Sequence, residues 1–141
     1  MIQFYLDEGA MLPSRAYPQD AGIDLRSPSD FCVPPHGSTV IDTGVHAIIP
    51  EGYCGLLVSK SGLNVRNSIT STGLIDSGYT GSIKVKLYNH GDRKYWVAYG
   101  DKISQLLVIP YVAEPFKIID GRQFSEIQTE RGEKGFGSSG R

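Results

Sequence analysis

Glycine and proline punctuate this chain from end to end: 17 glycines and 8 prolines are scattered along its 141 residues. Each is a place where a helix or a long strand stops. No window longer than about ten residues keeps a helical period. Between the breaks lie short apolar stretches rich in β-branched or aromatic residues: "IQFYL", "STVID", "VHAII", "CGLLVS", "SIKVKLYN", "KYWVA", "ISQLLVI" and "FKII". In "IKVKLY", Ile83, Val85 and Leu87 alternate with Lys84 and Lys86, as a half-buried strand requires. Turn signals such as "PPHG", "PEG", "DSG" and "NHGD" separate the stretches. Many short strands at regular spacing predict an all-β domain, a sandwich, barrel or jelly roll. The one short helix expected is "SGLNVR", at 61–66. The apolar pattern fades after Gly121. Residues 1–121 are therefore expected to form the body, and 122–141 a linker and glycine-rich arm.

A chain of 141 residues fits one domain that buries roughly two-thirds of its unfolded surface. The net charge of −1 and pI near 6.3 exclude a broad basic surface, so neither nucleic acid nor membrane is an expected partner. "MIQFYLDEGAMLPSR" has no basic region followed by a long apolar stretch, so no signal peptide is expected, and no window approaches a membrane span. A cytoplasmic protein is the expectation, or one of the nucleus or host cytoplasm if the source is viral. Cys32 and Cys54 lack a C-x-x-C pattern and read as reduced core thiols. His36, His46 and His90 stand apart from one another and from the cysteines, which argues against zinc.

Five segments are too oddly composed to be ordinary strands or turns. "AGIDLRS" sets Asp24 between Ile23 and Leu25, where a turn or edge carboxylate would be the plain reading. "SKSGL" puts Lys60, Ser61 and Gly62 after a strand, and a lysine, a hydroxyl and a glycine amide at a strand end suit a phosphate group. "GLIDSGYTG" carries Asp76 and Tyr79 between glycines, which alone reads as a hairpin turn. "GDKISQLL" places polar Gln105 among Ile103, Leu106 and Leu107, where it could satisfy a backbone group. The last, "RGEKGFGSSG", has the spacing of a dinucleotide-binding loop at Gly135, Gly137 and Gly140. No strand precedes it and only Arg141 follows, so the required helix N-terminus is lacking. The P-loop fails as well, because Ser138 stands where its lysine belongs.

Taken in order, these five segments match the five motifs of the trimeric deoxyuridine triphosphate nucleotidohydrolases, the dUTPases, and the chain resembles that family from Ala21 to Gly140. Each motif is weak alone; five at compatible spacing are specific. The resemblance implies a β jelly roll, a homotrimer, and active sites built from three subunits, with the arm closing over nucleotide on a neighbouring subunit. It also implies hydrolysis of dUTP to dUMP and pyrophosphate, which limits uracil in DNA and supplies dUMP for thymidylate synthesis. Mg²⁺ would grip the triphosphate, while Asp24 and Gln105 orient its waters without binding it directly.

By the same resemblance Asp76 holds and activates the water that attacks the α-phosphorus. A positioned base contributes about 10²–10⁴-fold, so alignment and charge neutralisation must supply the rest. Ser61 and the Gly62 amide would face phosphate oxygen, with Lys60, Lys84 and Arg131 among the substrate-binding residues. Uracil would be read through the backbone of a hairpin from about Asn67 to Ile75, including Thr70, Gly73, Leu74 and Ile75. Tyr79 would lie where a ribose 2′-hydroxyl projects. Phe136 would stack on the base, with Gly137 and Ser138 along the terminal phosphates. Three positions depart from the family pattern: Lys60 stands where many members have arginine, Gly78 where a second aspartate is common, and Thr70 where some have asparagine. Lysine keeps the charge but loses the bidentate fork.

Two rival readings remain. A dCTP deaminase shares the fold and trimer but relies on a glutamate where this turn offers Asp76 and Tyr79; ammonia release from dCTP discriminates it. A non-catalytic nucleotide-binding trimer would bind dUTP without releasing pyrophosphate.

Overall fold

Short alternating stretches fold into strands here, and each strand is closed by one of the turns that separate them. The structure, a computed structural model, describes residues 1–135. Its elements are β1 (Gln3–Leu6), β2 (Ile23–Arg26), β3 (Phe31–Val33), β4 (Ser38–Ile48), β5 (Tyr53–Val58), α1 (Ser61–Asn67), β6 (Ile69–Ile75), β7 (Ser82–Asn89), β8 (Tyr95–Val97), β9 (Lys102–Pro110) and α2 (Gly121–Ser125). Seven strands form an antiparallel sheet in the order β1-β4-β7-β6-β5-β9-β2, and β3 pairs with β8.

One apolar cluster takes side chains from β2 through β9. Strands at opposite ends of a flat sheet could not share it, so the sheet curls around it. The expected all-β jelly roll is the fold observed. Ile83, Val85 and Leu87 of β7 point into this core while Lys84 and Lys86 face out, as their alternation requires. Burying one such side chain is worth about 1.5–3 kcal/mol.

"STVID" and "VHAII" read as two strands, yet they run together as β4. The join is a bulge: register against β7 shifts between Asp42 and His46, and Gly44 has φ +65°. A Cβ there would also meet the Ala10 Cβ at 2.9 Å. Glycine therefore bends the strand instead of ending it. The expected helix is present as α1, closed by Ser68 in the left-handed region at φ 56°.

"FKII" is the clear misreading. Among the described residues no strand follows Pro110, and Phe116 and Ile118 are 94% and 95% exposed. Pro115 immediately precedes the stretch and Pro110 closes β9 before it, and the described residues offer its backbone no partner strand. Asp120 then caps α2 through a capping box with Gln123, although no residue of α2 is buried. None of the described helices is long and apolar enough to cross a membrane.

Candidate active site

Strand β5 is the axis on which the chemistry-bearing residues are arranged. Near its C-terminal end the pairing runs Thr72, Val58, Gln105, Asp24 across four strands. Lys60 follows two residues beyond Val58, so Asp24, Gln105 and Lys60 come together although distant in sequence. Asp24 is 4% exposed. Lys60 Nζ donates to its Oδ1, and Lys102 Nζ lies 2.6 Å from its Oδ2. Burial alone would raise the carboxyl pKa; the hydrogen bonds from Lys102 and Lys60 and their charges outweigh it, so Asp24 sits below its ordinary value.

Lys102 is a site residue that the sequence reading did not single out. Its signal was the pairing of "AGIDLRS" with "GDKISQLL", which brings a cation beside a lone acid. Gln105 Nε2 donates to Ser59 O at 3.1 Å, so it does satisfy a backbone group. Its Oε1 lies against Gly22, where a Cβ would approach it to 2.3 Å. Glycine at 22 thus leaves room for the carboxamide. Ser61 and Gly62 open α1 and are exposed, with Lys60 as the extended cap residue.

The second group lies on β5, β6 and β7 and on the turn that joins β6 to β7. A cleft of about 210 Å³ is bounded by Leu57, Gly73, Leu74, Ile75, Asp76, Tyr79, Ile83 and Lys84, six of which the sequence reading named. Tyr79 N–H closes the turn by donating to Asp76 O at 3.0 Å. Its phenol donates to Ser82 O at 3.0 Å. A Cβ on Gly81 would meet that phenol oxygen at 2.4 Å, so the ring can lie across the turn because residue 81 has no side chain. Lys84 reaches Asp42 Oδ2 at 2.8 Å. Lys84 and Ser82 donate to the Asp42 carboxyl and lower its pKa to about 2, and Asp42 in turn raises that of Lys84. Thr70 is not on the cleft: its hydroxyl bonds His90 Nε2 at 2.7 Å.

The two groups do not meet within one chain. Ile75, next to Asp76, pairs with Gly55 near the start of β5, whereas Lys60 lies two residues past the strand's last residue, Val58; five residues at about 3.3 Å each is roughly 17 Å. Arg131 joins neither group, its Nε donating to Lys134 O at 2.9 Å. Phe136, Gly137 and Ser138 lie outside the described residues. Among those residues, no three His, Cys, Asp or Glu gather as a metal cage. One chain therefore presents a charged cluster and a cleft as separate groups.

The family model for dUTPase matches residues 8–140. A deoxyuridine 5′-triphosphate nucleotidohydrolase of Tropheryma whipplei (strain Twist) is 38% identical over 140 residues, 96% of this chain and 93% of that protein. The structure of the Staphylococcus bacteriophage 80alpha dUTPase with dUPNHPP superposes with a TM-score of 0.89 at 32% identity, covering 100% of this chain and 99% of that one. A variant dUTPase from phage phi11 of S. aureus, whose structure concerns the coordination of a structural Mg(II) ion, superposes with a TM-score of 0.78 at 29% identity, over 88% of this chain and 99% of that one.

Proposed function

The chain belongs to the dUTPase family and is a nucleotidohydrolase of dUTP, and from that premise we propose how its own residues divide the work. The observation that carries the proposal is the cleft in which Asp76 and Tyr79 are fixed on one tight turn beside the open backbone of Gly73–Ile75. Asp76 holds a water against the α-phosphorus and takes its proton. Tyr79 walls the sugar and excludes a 2′-hydroxyl. Backbone groups of the 67–75 segment pair with uracil, so cytosine would leave donors and acceptors unmatched. A site built on such hydrogen bonds can reject a mismatched analogue by about 10⁴–10⁵, whereas a methyl group in an apolar pocket changes binding by only about 10–200-fold. Thymine is therefore excluded sterically.

The charged cluster takes the triphosphate. Ser61 and the Gly62 amide contact phosphate oxygens, and Lys60 and Lys102 supply positive charge that Asp24 only partly cancels, one carboxylate against two ammonium groups. Both oxygens of Asp24, the one carboxylate here, already accept from lysines, so a Mg²⁺ ion would be held by the triphosphate and meet these residues only through water. Asp24 and Gln105 would orient such waters, and the ion would supply charge neutralisation to the phosphates. Arg131, Phe136, Gly137 and Ser138 close from the arm.

Because the groups are separated on one chain, a complete site takes the charged cluster from one subunit, the cleft from a second and the arm from a third, in a homotrimer. The uncovered apolar side chains beyond Pro110 suit packing on such a neighbour. The enzyme acts in the cytoplasm, removing dUTP and supplying dUMP. Pyrophosphate release measured side by side with dUTP, dCTP, dTTP and UTP tests the proposal. Release from dUTP alone is expected; comparable release from another nucleotide, or ammonia from dCTP, would overturn it.

A further inference from the structure

The turn that carries Asp76 and Tyr79 is held from behind by a histidine. His46 lies on β4 opposite Ser82 of β7 and Tyr5 of β1. Its Nδ1 is 2.7 Å from Thr80 O, and its Nε2 is 3.1 Å from Asp7 Oδ2. A carbonyl and a carboxylate can only accept, so both ring nitrogens must donate. The neutral ring has one N–H; the imidazolium has two. Both bonds therefore exist together only in the protonated form.

We propose that His46 is a positioning residue of this site: as an imidazolium it ties the carbonyl of Thr80, the residue after Tyr79, to Asp7, and so holds the sugar-facing turn against β1 and β4. The inference rests on the reading of Asp76 and Tyr79 given above. The surroundings favour the charged ring. Asp7 faces it from the end of β1 and Asp42 from β4; Tyr5 meets it edge-on with ring centroids 5.3 Å apart. Lys84 of β7, the nearby cation, is already paired with Asp42. The bond to Thr80 O and then that to Asp7 raise the His46 pKa above its ordinary value. Two further tethers reach the same stretch: Tyr79 OH to Ser82 O, and Ser82 Oγ to Asp42. Of the three, only the His46 tether can be released by loss of a single proton near neutral pH.

Raised in the folded state, the His46 pKa keeps both bonds in place below the ordinary value of about 6.5; as pH rises through the folded value one of the two is lost, and with it the continuous link from Thr80 through the ring to Asp7. The test uses the full-length enzyme and three readings. Ring-nitrogen NMR should show both His46 nitrogens protonated to a midpoint above about 6.5, and Asp7→Asn should lower that midpoint. The ratio of kcat/KM for dUTP to that for UTP should fall roughly tenfold through the same midpoint, as loss of a charged hydrogen bond would give, and should shift with it in Asp7→Asn. His46→Gln should show the low ratio at every pH, and faster exchange of the Tyr79 amide than wild type at matched pH. If His46→Gln does not fold, Asp7→Asn still decides the matter. A midpoint at or below the ordinary value, or a ratio whose pH dependence Asp7→Asn leaves in place, overturns the clamp. Retained turnover in Asp76→Asn would instead sink the reading of the site, while the ring titration and the Tyr79 amide still decide the clamp.

Discussion

Lys102 Nζ lies 2.6 Å from Asp24 Oδ2, on the opposite oxygen from the one that Lys60 holds. The carboxylate is buried, and both lysine side chains are partly exposed. Asp24→Asn removes the anion and leaves two cations facing each other. Loss of one partner from a buried pair is costly, and the partial exposure of the lysines places this case at the low side, about 2–4 kcal/mol. Urea midpoints of the wild type and Asp24→Asn check this; an unchanged midpoint would show the pair to be energetically neutral.

Acid should weaken the fold through Asp24 and Asp42. Both carboxyls are held below the unfolded value of 3.8, Asp42 at about 2. A depressed folded pKa contributes stability that is fully present above the unfolded value and lost as pH falls through the folded one. Melting temperature should therefore drop as pH falls below about 4, and Asp42→Asn should flatten part of that drop. Equal slopes for the variant and the wild type would remove Asp42 from the account.

Asp76→Asn removes the proposed base while the Asp76 carbonyl still accepts from Tyr79 N–H. Turnover should fall at least about a hundredfold, with nucleotide binding kept. Single-turnover hydrolysis and equilibrium dUTP binding separate the two effects. Near-normal kcat in a folded variant would end this assignment.

Tyr79→Ala opens the wall of the cleft. Discrimination against UTP should relax more than dUTP binding weakens, as seen in the ratio of the two kcat/KM values. An unchanged ratio would leave Tyr79 as a turn-packing residue.

The division of the site between chains can be tested by mixing. A variant truncated after Glu130 and Asp76→Asn, each nearly inactive, are unfolded and refolded together in equal amounts. If arm and base belong to different subunits, random mixing restores about a quarter of the sites, since each contribution is intact half the time. If both came from one chain, mixed trimers would stay at the level of the parents.

The parts of the fold that depend on nearest neighbours were legible in the sequence. Lys84 and Lys86 flank Val85 in a pattern only an outward face explains, and the turns fell where glycine and proline put them. Asp76 and Tyr79 could be placed because one tight turn carries both. What the sequence hid depends on partners far along the chain. Lys102 acquires its role when β2 and β9 pair, and no local window shows that register. Gly44 looked like the end of a strand because bend and break share one residue type. "FKII" has the composition of a strand, but a strand also needs an edge to pair with. Thr70 was named because some family members have asparagine there; its hydroxyl bonds His90, a partner 20 residues away that no local window shows.

Phe116 and Ile118, standing in water in a single chain, bear on how long that chain survives. Exposed apolar stretches are what chaperones and proteases recognise in unfinished proteins. A solitary copy would display that flag continuously, whereas one covered in the proposed trimer would not. Abundance would then rise more steeply than synthesis, since sparse copies would be cleared before they met. Quality control and assembly would be a single event for such a chain.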